Sequence, residues 1–263
     1  LDIPDGDFRA MPAVVDNTAG IKWCGVHLDK SREKRKINIF AKVLINDVDT
    51  GELLAIMDGE KITAIRTAAV TGVATKYVAY PDASVAAFVG CGNQTEKQIQ
   101  AVMLARELSK IVLFDLDRSR CDHIAKLFEN ELEVEIADSL ESCLKEADIV
   151  TTLTPARVPF LEYELLKDMT HINAVGADAK GKRELSQSVL DNIDFVVYDN
   201  LEQCSHSGEI QYVPLEKKKQ TWASLGEVVS GQINVDGDKT LFDATGLATE
   251  DVVTARYIYE KIK

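Results

Sequence analysis

The feature that most constrains the fold is a regular alternation of short apolar runs with segments of helical spacing, from residue 82 to about residue 200. The apolar runs begin near residues 84, 110, 132, 148, 171 and 194. Strands that alternate with helices are typical of a parallel sheet, because each parallel pair needs a crossover connection. The sequence therefore predicts an α/β fold with a doubly wound parallel sheet.

The segments outside this alternation predict a second, α+β unit. Runs at 19–26 and 37–45 predict strands, and a turn rich in Asn, Asp and Gly at 46–51 leads into a return strand at 52–58. An Ala-rich segment at 63–80 predicts a helix, and a last helix is predicted at about 249–262, capped near Thr249. We therefore expect two domains, one formed by 1–80 with 235–263 and the other by 81–234.

Composition excludes several classes of protein. The chain has 263 residues and a net charge of −13, whereas nucleic-acid binding needs a basic face. No apolar run approaches the roughly 20 residues of a membrane span. The five cysteines are odd in number and scattered, and the four histidines form no ligand pair, so we expect neither disulfides nor a metal site. A reducing cytoplasm fits this usage of cysteine.

A glycine turn at residues 90–92 predicts a dinucleotide site. Gly90-Cys91-Gly92 follows an apolar run at 83–89 and precedes a helical segment at 93–105, and Asp115 ends the next apolar run. The glycines let backbone approach a pyrophosphate, the helix N-terminus supplies free N–H groups, and the carboxylate can accept from ribose hydroxyls. Thr95 replaces the third glycine of the usual fingerprint. An ordinary strand-to-helix turn is therefore the alternative.

Asp115 also favours NAD over NADP. Two unit charges about 4 Å apart repel by roughly 4 kcal/mol at an effective dielectric near 20, which is about a thousandfold in affinity. Arg118 lies three residues further on and could offset this repulsion of the 2′-phosphate. Ligands of open α/β sheets bind outside the carboxyl ends of the strands, which places Thr154 and the loop at 174–177 on the cofactor side.

Three charged residues are candidates for chemistry on an amino or imino acid. Lys22 lies within an apolar run, where a buried lysine is costly unless it is paired, although an outward-facing strand lysine is the alternative. Asp178 follows a strand and a glycine and could move a proton, or it is a plain loop carboxylate. Arg9 could bind a carboxylate bidentately, or it is an exposed arginine.

At these residues the chain resembles the ornithine cyclodeaminase/μ-crystallin family. The resemblance runs over nearly the whole chain and is carried by RAMP at 9–12, GIKW at 20–23, RTAA at 66–69, GCGNQ at 90–94, HINAVGAD at 171–178, GK at 181–182 with EL at 184–185, and FD at 242–243 with GLA at 246–248. It implies a homodimer in which residues 1–80 with 235–263 bind substrate and form the dimer contact, while residues 81–234 form a Rossmann domain that binds NAD(P). It also implies that an N-terminal part of the family fold is missing from this sequence.

The resemblance assigns roles to individual residues. Lys22 would contact the substrate and Asp178 would be the catalytic acid or base. The cofactor would be held by Arg66, Thr67, Gly90, Gly92, Asn93 and Gln94 at the pyrophosphate, by Asp115 at the ribose, and by Thr154, Ala174, Val175, Gly176 and Lys182 along the nicotinamide half.

The position of Arg9 separates activities within the family. Alanine dehydrogenase-like members carry arginine there and cyclodeaminases carry glutamate, so the resemblance implies an NAD-dependent oxidoreductase acting on the C–N bond of an amino or imino acid. Ornithine cyclodeamination is the alternative. A charged segment at 27–38 resembles the branch that makes diaminopropionate precursors, which would take a larger, acidic substrate. A binding protein of μ-crystallin type with little catalysis is a further alternative.

Overall fold

The structure, a computed structural model, describes residues 1–3, 6–27, 39–214 and 221–263. The segment at 28–38, on which the hypothesis of a larger acidic substrate rests, lies outside the described residues. The chain divides into two compact units, residues 1–67 with 246–263 and residues 68–245. The boundary after residue 67 lies within a helix, and the second boundary follows residue 245. Both differ from the boundaries at 80 and 235 that the sequence predicts.

The first unit contains a five-stranded antiparallel sheet in the order β1-β2-β3-β4-β5. Its strands are β1 (Asp2–Ile3), β2 (Gly6–Val15), β3 (Thr18–His27), β4 (Ile39–Asp47) and β5 (Leu53–Asp58). The predicted turn after β4 is present, because the Asp47 side chain accepts backbone N–H groups of Asp49 and Thr50 at 3.0 and 2.9 Å. The strand β2 is not among the predicted strands.

Two helices accompany this sheet, α1 (Gly59–Val78) and α8 (Ala248–Ile262). α1 begins four residues before the predicted start, where the Asp58 carboxylate accepts the N–H groups of Glu60 and Lys61 at 3.1 Å. α8 begins after Leu247 without a side-chain cap, so the predicted cap at Thr249 is wrong. α8 packs against β2, β3 and β4, which buries one face of the sheet.

The second unit contains the predicted parallel sheet, which has eight strands in the order β12-β11-β13-β10-β9-β6-β7-β8. Every strand pair in it is parallel. The strands are β6 (Val85–Val89), β7 (Lys110–Phe114), β8 (Glu133–Ile136), β9 (Ile149–Thr152), β10 (His171–Ala174), β11 (Phe195–Tyr198), β12 (Trp222–Ser224) and β13 (Thr240–Asp243). The predicted fold class, a doubly wound parallel sheet with a second α+β unit, is confirmed.

Helices lie on both faces of this sheet. They are α2 (Thr95–Ala105), α3 (Arg118–Phe128), α4 (Leu140–Leu144), α5 (Gln187–Asn192), α6 (Leu201–Ser207) and α7 (Leu225–Val229). Ile99 of α2 and Phe128 of α3 pack in one apolar cluster, and Leu144 of α4 and Val189 of α5 pack in another. No helix among the described residues has the length and apolar character needed to cross a membrane.

β13 occupies a place in the fold that the sequence does not predict. It pairs with β10 on one side and β11 on the other, so it is an inner strand of the parallel sheet, whereas the predicted boundary at residue 235 assigns it to the first unit. All four of its residues are buried. A fully buried strand carries no alternating pattern, and a strand of four residues with only Leu241 and Phe242 apolar gives little signal of its own.

Candidate functional site

The glycine turn after β6 has the backbone geometry that the sequence predicts. Gly90 has a φ of +98°, a conformation that favours glycine. A Cβ atom at Gly90 would also lie 3.0 Å from the carbonyl carbon of Leu153 and from Cγ2 of Thr154. The buried Thr95 hydroxyl donates to the Gly90 carbonyl at 2.8 Å, which closes the turn at the position where the usual fingerprint has its third glycine.

The turn opens into free space on its other side. A Cβ atom at Gly92 would have no described heavy atom within 4 Å. Next to it, the buried Oε1 atom of Gln94 accepts no hydrogen bond from the described residues. β6 lies between β7 and β9, where the strand order reverses, and this is where open α/β sheets bind their ligands.

Asp115, at the end of β7, is tied directly to this turn. One carboxylate oxygen accepts the Cys91 N–H at 2.8 Å and the other accepts the Asp117 N–H at 2.8 Å. The half-buried carboxylate retains lone pairs for further donors, as each oxygen has two. A glycine turn beside open space, a helix N-terminus and an anchored carboxylate together fit a dinucleotide.

The ends of β9 and β10 carry the predicted nicotinamide-half residues Thr154, Ala174, Val175 and Gly176. A buried carboxylate that the sequence did not single out, Glu184, joins the two strand ends. It accepts the Thr154 N–H at 2.7 Å and the Gly176 N–H at 3.0 Å. Burial raises the pKa of Glu184. The family motif includes this residue, but no local pattern in the chain indicates that it lies at the site.

Asp178 and Lys182 lie on the loop that follows β10 and contact each other. The Lys182 ammonium forms an ion pair with the Asp178 carboxylate and donates to the Gly176 carbonyl at 3.3 Å. Both side chains are part-exposed, so they are open to a small molecule. The structure therefore brings the predicted acid or base together with one predicted cofactor residue.

Lys22, in the first unit, is buried, which is one of the two alternatives that the sequence left open, and it has a counter-charge. Its Nζ atom lies 2.7 Å from Oδ2 of Asp251 in α8, and the side chains are 4% and 0% exposed. Nε of Arg66 donates to the other carboxylate oxygen of Asp251 at 3.1 Å. Arg66 also pairs with Glu250 at 2.7 Å. Lys22 therefore does not face outward from its strand.

Neighbouring groups have opposite effects on the pKa of Lys22. Burial and the nearby Arg66 guanidinium lower the pKa of Lys22, and the Asp251 carboxylate raises it. A lysine with a lowered pKa gives up and takes back a proton more readily than a surface lysine. The Asp251 carboxylate favours the ammonium form of Lys22, and in that form Lys22 can donate a hydrogen bond to a substrate oxygen or nitrogen.

Arg9 lies on the same face of the sheet as Lys22. Met11 is directly opposite Lys22 in the pairing of β2 with β3, so these two residues share a face. Arg9 lies two residues before Met11 on the same strand and therefore points to that face as well. The Arg9 guanidinium is held by Asp7 through two contacts, at 2.6 and 3.2 Å. Arg9 is about one-third exposed. Its role as a carboxylate ligand stays a prediction.

The predicted site residues divide between the two units. Arg9, Lys22, Arg66 and Thr67 belong to the first unit, and the remaining ones, from Gly90 to Lys182, belong to the second. Sequence reasoning missed Asp251 and Glu250, because acidic residues in the first turn of a helix are expected for the helix dipole alone.

Known proteins resemble this chain over nearly its full length. An alanine dehydrogenase of Archaeoglobus fulgidus is 35% identical over 99% of the chain and 82% of its own length. An ornithine cyclodeaminase of Brucella abortus is 33% identical over 98% of the chain and 72% of its own length. Other relatives are a Delta(1)-pyrroline-2-carboxylate reductase of Bacillus cereus and the ketimine reductase mu-crystallin of Rattus norvegicus.

Solved structures show the same fold. An archaeal alanine dehydrogenase, described as a dimer with bound NAD, superposes with a TM-score of 0.91 at 33% identity and covers 99% of this chain and 82% of its own. The sequence profile of the ornithine cyclodeaminase/mu-crystallin family matches residues 2–263. The resemblance inferred from the motifs is thereby confirmed, and the chain belongs to the ornithine cyclodeaminase/mu-crystallin family.

Proposed function

We propose that this chain is an NAD-dependent oxidoreductase that acts at the C–N bond of an amino or imino acid. In the oxidative direction an amino acid and NAD⁺ give an imino acid, NADH and a proton, and water then releases a keto acid and ammonia. The observation that carries the proposal is the buried, counter-charged Lys22, because perturbed pKa values are typical of catalytic groups and burial lowers the pKa of this lysine.

Three residues act on the substrate in this proposal. The Lys22 ammonium polarises the substrate by donating a hydrogen bond, and Asp251 keeps it in place. Asp178 moves a proton at the substrate nitrogen or at the attacking water, an effect worth about 10²–10⁴ in rate. Arg9 binds the carboxylate. The bound nicotinamide supplies the hydride acceptor or donor.

The cofactor would be held by residues of the strand ends and the loops that follow them, together with two residues of α1. Gly90, Gly92, Asn93 and Gln94, with Arg66 and Thr67, are proposed for the pyrophosphate, and Thr154, Ala174, Val175, Gly176 and Lys182 for the nicotinamide half. Asp115 would accept from the ribose hydroxyls. Its negative charge supports NAD rather than NADP, since a 2′-phosphate would meet a carboxylate there.

The exposed face of the antiparallel sheet supports a homodimer. Val14, Trp23, Phe40 and Ile56 are 64%, 41%, 55% and 62% exposed and share the face opposite to Lys22. An apolar face of this kind is typical of an interface. We expect sedimentation to give a dimer for the wild type and a monomer for Trp23→Glu. A dimeric Trp23→Glu variant would place the interface elsewhere.

The five cysteines are all free thiols, which supports a reducing, cytoplasmic location. Localisation of a tagged chain tests this. Recovery of the protein from an oxidising compartment would contradict it.

The activity is tested by following NADH with a panel of amino acids, and with the matching keto acids plus ammonia. Net NADH formation with one amino acid supports the dehydrogenase, and Lys22→Met and Asp178→Asn should abolish it. Lys110→Met is the matched control, because Lys110 is a strand lysine that also pairs with a carboxylate, Glu135, but lies at the start of β7, at the end of the sheet opposite to the proposed site. NAD-dependent ammonia release from ornithine without net NADH would instead establish a cyclodeaminase and contradict the role of Arg9.

A further inference from the structure

Three buried carboxylates in the second unit form a linked series, in which each accepts backbone N–H groups. Glu184, Glu209 and Asp243 are each 0% exposed. None of them is among the residues to which the proposed function assigns a role. Buried carboxylates are costly unless hydrogen bonds hold them, and here six donors are main-chain N–H groups and two are threonine hydroxyls. Each carboxylate therefore fixes a piece of backbone.

The series begins at the end of β13. The two carboxylate oxygens of Asp243 accept the N–H groups of Glu209 and Ile210 at 3.1 and 3.0 Å. Glu209 in turn accepts the N–H groups of Glu184 and Leu185 at 2.7 and 3.2 Å. The backbone at Glu184 is thus held by a carboxylate that is itself held from the centre of the sheet.

Glu184 completes the series at the ends of β9 and β10. One oxygen accepts both the N–H and the hydroxyl of Thr154 at 2.7 Å. The other accepts the Thr152 hydroxyl at 2.6 Å and the Gly176 N–H at 3.0 Å. A single side chain therefore fixes the two strand ends that carry the nicotinamide-half residues.

The approach of Glu184 to Gly176 is close enough to require glycine. A Cβ atom at Gly176 would lie 2.4 Å from Oε2 of Glu184 and 2.4 Å from the Thr154 carbonyl oxygen. The Gly176 carbonyl accepts from Lys182, which also contacts Asp178. The loop that carries Asp178 is therefore fixed at its start and at its end by the same carboxylate residue.

We propose that Glu184 is a positioning residue for the nicotinamide half of the site. It holds the loop at 174–184 in the conformation that accepts the cofactor and presents Asp178, and Glu209 and Asp243 hold Glu184 in turn. This inference rests on the proposed function for the assignment of the nicotinamide half. It adds a residue that does not itself touch the substrate.

A matched control distinguishes positioning from general stability. Asp148 also accepts two backbone N–H groups through its carboxylate, from Ser84 and Val85 at 2.8 and 2.9 Å, but before the start of β9 rather than after its end. Glu184→Gln and Asp148→Asn each turn one acceptor oxygen into a donor. Both should lower the stability of the unit, and only the first should disturb the nicotinamide half.

The first test compares the binding of NAD and ADP-ribose, which lacks nicotinamide, by titration calorimetry. Glu184→Gln should weaken NAD about tenfold relative to ADP-ribose, which corresponds to the loss of one hydrogen bond to a charged group. Asp148→Asn should leave the ratio unchanged. Equal weakening of both ligands by Glu184→Gln, or the same change of ratio in Asp148→Asn, would overturn the proposal.

Two further measurements cover the case in which Glu184→Gln does not fold or the cofactor assignment fails. Thr152→Val removes one donor to Glu184 at nearly constant volume and should change the ratio in the same direction, by about threefold. Hydrogen exchange of the cofactor-free variants should increase in 174–184 and stay unchanged in 85–95. Unchanged exchange in 174–184 would contradict the positioning role of Glu184. NAD binding without amino-acid oxidation would contradict the proposed function alone.

Discussion

The Nζ atom of Lys22 lies 2.7 Å from Oδ2 of Asp251, and Nε of Arg66 lies 3.1 Å from Oδ1 of the same carboxylate. One buried carboxylate on α8 thus balances two cations, one from β3 and one from α1. Removal of one partner of a buried ion pair leaves an uncompensated charge, which costs more than a surface pair contributes. Asp251 therefore controls both the stability of this core and the protonation of Lys22.

Asp251→Asn should shift the alkaline limb of the activity profile to lower pH. Burial and Arg66 already lower the pKa of Lys22, and Asp251 is the group that raises it. Without the carboxylate the pKa of Lys22 falls further, so the ammonium form is lost at lower pH. The profile of kcat/KM against pH measures the shift, and calorimetry should show about 3–5 kcal/mol less stability.

Glu250→Gln is the control for this shift. Glu250 pairs with Arg66, and its replacement leaves the contact between Lys22 and Asp251 in place. The alkaline limb should therefore stay where it is in the wild type. An unshifted limb in Asp251→Asn would mean that Lys22 does not act as an ammonium group.

Gly92→Ala should weaken NAD without affecting the fold. The added methyl group meets no described atom within 4 Å, so the melting temperature should change by no more than about 1 °C. It would occupy the space proposed for the pyrophosphate, and the dissociation constant for NAD should rise at least tenfold, or about 1.4 kcal/mol. Gly226→Ala, a glycine within α7 with similar room, should leave the dissociation constant for NAD unchanged, and its melting temperature should rise slightly because alanine favours the helix. Wild-type affinity in Gly92→Ala would place the pyrophosphate elsewhere.

Asp115→Asn should reduce the preference for NAD. The change removes the charge that would repel a 2′-phosphate and weakens the acceptor for the ribose hydroxyls, so NADP should gain affinity while NAD loses it. We expect the ratio of the two dissociation constants to change by about a hundredfold or more. Asp122→Asn, an exposed acid on α3, makes the same charge change and should leave the ratio constant. A constant ratio in both variants would exclude contact between Asp115 and the ribose.

The melting temperature should fall as pH rises from about 6.5 to 8.5. Burial raises the pKa of Asp243 from 3.8 to about 7 and that of Glu209 from 4.5 to about 8, with Asp199 and Glu184 as nearby acids. The folded state then keeps protons that the unfolded chain releases, so the stability present at low pH is lost as pH passes the folded pKa values. Thermal unfolding at constant ionic strength measures the slope.

His171 limits the pH range in which this fall of the melting temperature can be measured. Burial lowers the pKa of His171 from 6.5 to about 4, which makes stability rise with pH below 6.5 and opposes the carboxylates there. Asp243→Asn should flatten the decline near pH 7, although the variant is less stable overall. A melting temperature that stays constant or rises from pH 6.5 to 8.5 would show that these carboxylates are already ionised in the folded state at pH 6.5.

Much of the second unit could be predicted from sequence because its signals are local. The predicted strand starts near 84, 110, 132, 148, 171 and 194 lie within one residue of those of β6, β7, β8, β9, β10 and β11. The glycine turn and Asp115 were found for the same reason, since a backbone requirement at Gly90 and a strand end at Phe114 are both visible in the chain itself.

The residues that were missed depend on contacts between distant parts of the chain. Asp251 is an ordinary acid in the first turn of a helix until β3 brings Lys22 to it. Glu184 lies in a loop, and only the ends of β9 and β10 reveal why it is buried. The sequence did not predict β2, because this strand starts with polar residues and contains Pro12. A proline is tolerated there because, among the described residues, β1 pairs only with Gly6 and Asp7, so β2 is an edge strand at Pro12.

The position of β13 bears on how the second unit folds. β13 follows β11 and β12 in the chain but lies between β10 and β11 in the sheet, so the sheet cannot grow by adding successive strands at its edge. β6 to β10 can pair as one block. β11 and β12 can join this block only through β13, which is synthesised after them. Such non-local pairing slows folding and leaves strand edges exposed in the meantime. A chain interrupted before residue 240 would therefore hold two unjoined blocks of sheet, prone to aggregation through their open edges.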